Sequence, residues 1–374
     1  MKRVAILTIT DGANYGNRLQ NYAMQELLKS CNCCAITIKR FSTRDIKNSK
    51  KFFLLIKDFI KIIIRKKNTR FVYRKRVNLF EQFNNRFISF SDEKLGFNRF
   101  PNGIEDNYDY FLCGSDQVWN ARYDFIQEDI NNYLASFAKP EKRIAFAASF
   151  GTNDIAPEYE KTFEDELKNF KVLGIREKSG VELANKLGKR NDAQLVLDPI
   201  LMLSKNQWIN LEQKPNYISD KKFIITYFLG GRSEKIKHYL EKMSSIYNAE
   251  VINLDVEFLT DDKIENEAHF CTTPNEFVWL IRNAECILTD SFHATVFSII
   301  FNKPFIVFKR IATEKGNDMS GRIDTLLGLF GLSNCIDDVA NPSKTPFRYK
   351  DVTNKINLER EKSLSFIRKA LDEI

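Results

Sequence analysis

The chain predicts an α/β fold of two domains, each a parallel sheet flanked by helices, with the strand ends of both domains facing a shared cleft. Three observations carry that expectation. Short apolar, β-branched runs alternate with stretches of helical periodicity along most of the sequence. Turns rich in Gly, Asn, Asp and Ser stand where each strand gives way to a helix. The length of 374 residues exceeds what one hydrophobic core usually supports. A composition 43% hydrophobic and 28% charged excludes disordered and fibrous classes.

The first element is the buried strand "RVAILTI", which leads through "DGANYGN" into "RLQNYAMQELLKSC", where Leu19, Tyr22, Ala23, Leu27 and Leu28 recur at helical spacing. Strand, glycine loop and helix open a βαβ unit. Next comes a basic stretch. From Lys39 to Arg76 there are fifteen Lys or Arg against two Asp, so this segment alone makes the chain basic, at a net charge of +8. Within it "FFLLIKDFIKIIIRKK" is apolar nearly all round and ends in cations. Such a helix suits an anionic membrane face; the alternative is a helix buried on the first domain with a solvated basic flank. No nucleic-acid module accompanies the charge, so nucleic acid is not an expected partner.

The strand and loop pattern then repeats. "DYFLCGSDQVWN" is a strand ending in a polar turn, "RIAFAASFG" another, "NFKVLGIRE" a third that runs into the helix "EKSGVELANKLG", and "AQLVLDPILML" a strand broken at Asp198-Pro199. That break sets the domain boundary near residue 200, followed by the polar, loop-like "SKNQWINLEQKPNYISDKK". The second domain reads as the strand "KFIITYFLGG", the helix "SEKIKHYLEKMSSIYN", the strand "AEVINLD", the helix "TPNEFVWLIRNAE", a strand, turn and helix in "CILTDSFHATVFSIIFN", and the strand "KPFIVF". A last helix begins near Asn354 and is a candidate to cross back to the first domain. The expected divisions are 1–200, with a basic helical insertion at about 39–100; 201–345; and 346–374.

The seven cysteines include no paired CxxC, and "CNCC" at 31–34 has no second ligand pair nearby, so ordinary reduced thiols and no metal are expected. The amino terminus lacks a small-residue cleavage site. No window reaches the roughly 18 apolar residues of a spanning helix. The expected location is the cytoplasm, with peripheral contact at the inner membrane face through 39–76.

Four stretches hold side chains suited to a site. In "ANYGNRLQ", Asn14, Gly16 and Asn17 stand between strand and helix, where backbone N–H groups and the helix dipole favour an anion; a tight connection is the alternative, since neither GxGxxG nor a P-loop is present. In "GSDQVWN", Ser115, Asp116, Gln117 and Asn120 crowd a strand mouth, either as ligand contacts or as a capped helix start over a buried Trp119. Arg176 ends a buried strand and can present its planar fork to a phosphate or carboxylate, or pair with a neighbouring Glu. His293, one of three histidines, follows "CILTD" at a strand-to-helix turn, the wrong place for a core histidine. There a helix amino terminus lowers an imidazole pKa and a carboxylate such as Asp290 raises it, and either leaves a group able to exchange protons. His238 and His269 read as surface residues.

The combination "NYGNRLQNYA", "GSDQVWN", "REKSG" with "LDPILML", and "TDSFHATVFSIIFNKPFIVF" resembles the polysaccharide pyruvyltransferase family, in the family's order and over about residues 5–335. The resemblance implies a GT-B-like pair of Rossmann-like domains. It also implies transfer of a pyruvyl unit from phosphoenolpyruvate to two hydroxyls of a saccharide as a ketal, in surface (exopolysaccharide or capsule) biosynthesis. Phosphoenolpyruvate is then a donor substrate, with no cofactor and no metal. His293 falls at the family's catalytic histidine, Arg176 at a donor-binding position, and Arg322 where members carry a basic residue. Ser291 stands where members have an arginine, so the donor set is rebuilt with Arg322, Arg310 or Lys309, or the donor differs. Gly230 of the double glycine completes the expected binding positions. The implied acceptor is a saccharide, free or lipid-linked. A nucleotide-sugar glycosyltransferase and a non-catalytic saccharide-binding homologue are the rival readings.

Overall fold

Strands buried on both faces are apolar, and runs of that kind form the inner strands of two parallel sheets in the computed structural model, which describes residues 1–10, 12–40, 67–254, 264, 266–309 and 320–372. The first sheet contains β1 (Lys2–Leu7), β2 (Cys33–Arg40), β3 (Phe90–Leu95), β4 (Tyr110–Cys113), β5 (Arg143–Ala148), β6 (Val172–Ile175) and β7 (Gln194–Leu195). Its order is β3-β2-β1-β4-β5-β6-β7, with every pair parallel. The second contains β8 (Phe223–Tyr227), β9 (Glu250–Asn253), β10 (Ile287–Thr289), β11 (Phe305–Phe308) and β12 (Ile336–Asp337), in the order β12-β11-β10-β8-β9, again all parallel. The architecture is α/β, with two parallel sheets flanked by helices.

Each sheet has one place where successive strands are laid down in opposite directions across it: between β1 and β4 in the first, between β8 and β10 in the second. Loops leaving two such strands diverge and open a crevice at the strands' carboxyl ends, the usual ligand position in open α/β sheets. The glycine loop at 12–14 and the Gly114–Asn120 loop lie at the first switch point. The double glycine at 230–231 and the Asp290–His293 turn lie at the second.

Local chemistry explains the helices that frame these loops. Asn14 caps the helix Tyr15–Ser30 by accepting from the Asn17 N–H. Leu19, Ala23, Leu27 and Leu28 of that helix are buried, each leucine contributing about 1.5–3 kcal/mol. The segment expected to be loop after Asp198 is instead partly helical. Ser204 and Gln207 form a capping box that starts the helix Lys205–Leu211, whose Trp208 is fully buried. Asp198 does not break a strand but caps the short helix Pro199–Met202, accepting from the Ile200 N–H at 3.0 Å.

The 39–100 region is not wholly helical. Lys39 and Arg40 end β2, and Phe90–Leu95 is a strand, because the sheet edge recruits its alternating pattern. The helix Lys67–Phe87 lies between them, and the stretch "FFLLIKDFIKIIIRKK" lies almost entirely outside the described residues. At the end of the basic run the expected solvated flank gives way to burial. Arg76 is fully buried, its guanidinium 4.7 Å from the Tyr15 ring, 4.9 Å from Phe80 and 5.0 Å from Phe270. It donates to the Ala13 carbonyl (2.9 Å), the Tyr15 hydroxyl (3.0 Å) and the Phe270 carbonyl. Tyr15 in turn stacks on Phe277 at 4.5 Å and donates to the Thr272 carbonyl at 3.2 Å. One apolar cluster therefore runs from Val4 and Ile6 of the first sheet to Ile225, Ile287 and Phe305 of the second.

The last helix, Thr353–Ala370, lies against the first sheet. Ser363 accepts from the Leu197 N–H at 2.9 Å, Arg360 donates to the carbonyls of Leu201 and Leu203, and Phe366 packs beside Phe146 and Gly174. Among the described residues no helix is long and apolar enough to cross a membrane. Six of the seven cysteine thiols are buried and all are free.

Candidate active site

Side chains from both switch points meet around one buried carboxylate. Asp198 Oδ2 accepts from Arg176 Nη1 at 2.7 Å and from the Ser115 hydroxyl at 3.0 Å, and lies 3.7 Å from His293 Nε2. Arg176 Nη1 is 3.5 Å from the same imidazole nitrogen, and Arg176 Nη2 is 3.5 Å from Asp116 Oδ1. Arg176, Asp198 and Ser115 belong to the first sheet's loops; His293 comes from the second. The Phe292 ring lies beside two cations, 4.5 Å from the Arg176 guanidinium and 5.7 Å from that of Arg322.

His293 has a specific seat. It is the second residue of the helix Phe292–Ile300, and its ring lies against Gly16 in the first turn of the helix Tyr15–Ser30. A Cβ on Gly16 would fall 1.9 Å from His293 Nδ1. The two helix amino termini therefore converge on the imidazole, which is 7% exposed.

The charges are set by burial and pairing. Burial raises the Asp198 pKa, but His293 and Arg176 outweigh it and hold the carboxyl well below the usual range. Burial works against the charge of Arg176, and Asp198 and Asp116 restore it. Arg322 has burial and the nearby Arg176 against it, so its pKa falls to about 10. Glu177 is pushed upward chiefly by burial. Its Oε1 accepts from the Ser149 hydroxyl and the Phe150 and Gly151 N–H groups, which fixes the loop after β5.

Several sequence expectations change in this setting. Arg176 pairs with Asp198 and Asp116 and not with a neighbouring Glu. Asp198 lies 3.7 Å from His293, and the Asp290 oxygens accept from the Leu229 and Gly230 N–H groups at 2.7 and 2.8 Å, tying the double glycine to the histidine turn. Ser291 caps its helix by accepting from the Ala294 N–H at 3.4 Å. Gln117 Oε1 accepts from Asn120 Nδ2 at 2.9 Å, and both side chains crowd Gly151, so this pair is spent on the loop itself. Asp116 starts no helix; it has a positive φ of 76° and accepts from the Gln117 N–H. Lys309 is paired with Asp324, and Arg310 lies outside the described residues. Among the two other histidines, His238 is exposed and His269 half-buried, its pKa lowered by burial.

Asp198, Glu177 and Phe292 were not expected. The Asp-Pro pair looked like a strand breaker, whereas an acid ahead of a proline is also a helix-cap signature at the carboxyl end of a parallel strand, where sites collect.

Residues 14–310 match the family described as polysaccharide pyruvyl transferase. The chain belongs to this family. The match takes in Gly16, the Gly114–Asn120 loop, Arg176, Asp198 and His293, and stops short of Arg322. No curated protein sequence matches this member of the family. Solved structures that this chain matches include the UDP-GlcNAc 2-epimerase from Methanocaldococcus jannaschii in complex with UDP-GlcNAc and UDP (TM-score 0.43, 14% identity, 99% of this chain and 100% of that chain). The UDP-GlcNAc 2-epimerase from Neisseria meningitidis bound to UDP-GlcNAc scores 0.42 at 11% identity over 98% and 100% of the two chains. The E. coli ADP-heptose lps heptosyltransferase II scores 0.35 at 11% identity over 99% and 100%.

Proposed function

We propose that this family member transfers the pyruvyl unit of phosphoenolpyruvate to two hydroxyls of a saccharide, forming a pyruvate ketal in the synthesis of a surface polysaccharide. The observation that carries the proposal is the buried cluster of His293, Arg176 and Arg322 at the meeting of the two sheets, in a chain of this family. The reaction needs an acid beside the donor. His293 protonates carbon 3 of the donor, which leaves carbon 2 electron-deficient; a saccharide hydroxyl oxygen bonds to carbon 2 and its proton returns to the His293 imidazole. The carbon–oxygen bond to phosphate breaks, and a second hydroxyl bonds to carbon 2 and closes the ketal, its proton leaving with the phosphate. No cofactor enters that scheme.

The donor brings about three negative charges, which in a water-poor site call for cations and oriented N–H dipoles. Arg176 and Arg322 supply the cations, and the first turns of the helices that begin at Tyr15 and Phe292 supply dipoles. Arg322 gains most, since an anion would offset both its burial and its repulsion by Arg176. Ser291, Asn14, Asn17, Ser115 and Gly230 stand around the same crevices as further contacts.

Phosphate release from phosphoenolpyruvate, measured with free and lipid-linked saccharides, tests the reading. The expected result is saccharide-dependent release that falls by at least ~100-fold in His293→Ala, the scale of general acid catalysis. Stabilisation by UDP or GDP with no release from phosphoenolpyruvate replaces the proposal with glycosyl transfer. Neither release nor nucleotide binding replaces it with a saccharide-binding role. We further propose that the acceptor is lipid-linked and that residues 39–76 hold the enzyme at an anionic membrane face in the cytoplasm. Flotation with phosphatidylglycerol vesicles is expected, weakening as salt rises; equal recovery with neutral vesicles removes this part.

A further inference from the structure

We infer that Phe292 is a positioning residue: its ring gathers the Arg176 guanidinium of the first unit and the Arg322 guanidinium of the second into one pair, and keeps Arg322 turned into the site before an anion arrives. The inference rests on the proposed donor role of the two arginines and assigns them a common holder. Phe292 opens the helix Phe292–Ile300 directly after the Ser291 cap and is 6% exposed. The two guanidinium carbons lie 4.5 and 5.7 Å from its ring centroid. Both distances fall inside the roughly 6 Å over which an aromatic face attracts a cation.

Two like charges in a buried place need an offset. Arg176 has Asp198 at 2.7 Å and Asp116 at 3.5 Å. Arg322 is 7% exposed; burial and Arg176 act against its charge, and Asp116 and Glu177 act for it. The negative face of Phe292 adds to that support, and such a contact strengthens where water is excluded. A ring face attracts the charge as a whole, so the contact does not itself occupy the forked edge with which a guanidinium binds oxyanions. The backbone that carries Arg322 is fixed separately. A Cβ on Gly321 would fall 3.1 Å from Asn153 Oδ1 and 3.2 Å from Ser179 Oγ, and the Thr325 hydroxyl accepts from the Lys178 N–H at 3.2 Å. The start of the helix Ser320–Phe330 therefore lies against the first unit, and what Phe292 decides is the direction of the long arginine side chain.

Replacing Phe292 by mono-, di- and trifluorinated phenylalanine tests this. Fluorine drains the negative charge from the face stepwise and keeps the ring near its natural shape, so a residue that only fills the core shows no trend. The first readout needs no ligand. It is the water exchange of the Arg322 Nε–H, followed by NMR, with Arg322→Lys identifying the signal. Exchange is expected to rise with each fluorine, by at least about 10-fold for the trifluorinated ring, the scale of a desolvated cation–π contact. It stays near the wild-type rate in Phe292→Tyr, which keeps the face. Rates that do not change along the series overturn the inference. The second readout is affinity for inorganic phosphate by calorimetry, expected to fall in the same order, because binding must then restore an arrangement that was ready beforehand. Exchange that rises while the affinity holds or grows also overturns it, since a ring that holds Arg322 without serving an anion is packing alone. Urea unfolding verifies that each variant is folded. Because neither readout uses donor or acceptor, absence of phosphate release from phosphoenolpyruvate counts against the proposed function alone.

Discussion

At the scale of single residues, Gly16 is the sharpest case of a position whose chemistry is the lack of a side chain. Its place in the "ANYGNRLQ" loop suggested N–H groups and a helix dipole turned to an anion, and the structure seats the His293 imidazole against it. Gly16→Ala is expected to displace His293 and to lower kcat by roughly 100-fold, the scale of a misplaced reacting group. The clash also costs stability, about 1–3 kcal/mol, which the better helix propensity of alanine offsets only in part. Parallel measurement of phosphate release and urea unfolding checks this, and full activity in a folded variant contradicts it. Arg176 and His293 were legible as candidates because each stands where a strand gives way to a helix, the position at which ligands collect in open α/β sheets. Asp198 was not, since a one-dimensional reading cannot tell a helix-capping acid that also pairs with Arg176 from one that merely ends a strand.

At the scale of elements, the helix Phe292–Ile300 begins where the sequence placed it, after Asp290 and before a long apolar run. Ser291 is its cap, and Ser291→Ala is expected to cost about 1 kcal/mol. Chemical denaturation measures that loss; no loss would mean the hydroxyl serves a ligand and not the helix. The apolar strands were readable for the same reason, because burial on both faces demands continuous hydrophobicity. The helix Lys205–Leu211 was missed although Ser204 and Gln207 spell a capping box, because its polar face hides a single buried stripe carried by Trp208 and Leu211. β3 was missed because "FSDEKL" is polar and acquires strand form only by pairing along β2 at the sheet edge.

At the scale of the whole molecule, Arg76 links the helix that follows the basic segment to the Ala13 carbonyl of the first unit and the Phe270 carbonyl of the second. Its removal leaves buried acceptors without a charged donor. Arg76→Met is expected to lower unfolding stability by at least about 2 kcal/mol, the scale of hydrogen bonds to a charged group, and to lower the Tm accordingly. A Tm equal to that of the wild type would show that the apolar cluster alone joins the units. In sequence this arginine is the last of a run of fifteen basic residues, and nothing local separates it from its solvated neighbours.

The division between what the sequence determined and what folding decided follows from the range of the interactions. Strand, loop and helix identity, the two-unit α/β architecture and the candidate status of Gly16, Ser115, Arg176 and His293 rest on local periodicity, turn chemistry and capping, all of which act over a few residues. The partnership of His293 with Asp198, Arg176 and Gly16 joins positions 16, 176, 198 and 293. It exists only because two parallel sheets bring the carboxyl ends of distant strands together, and there a buried charge must find its counter-charge wherever the fold places one.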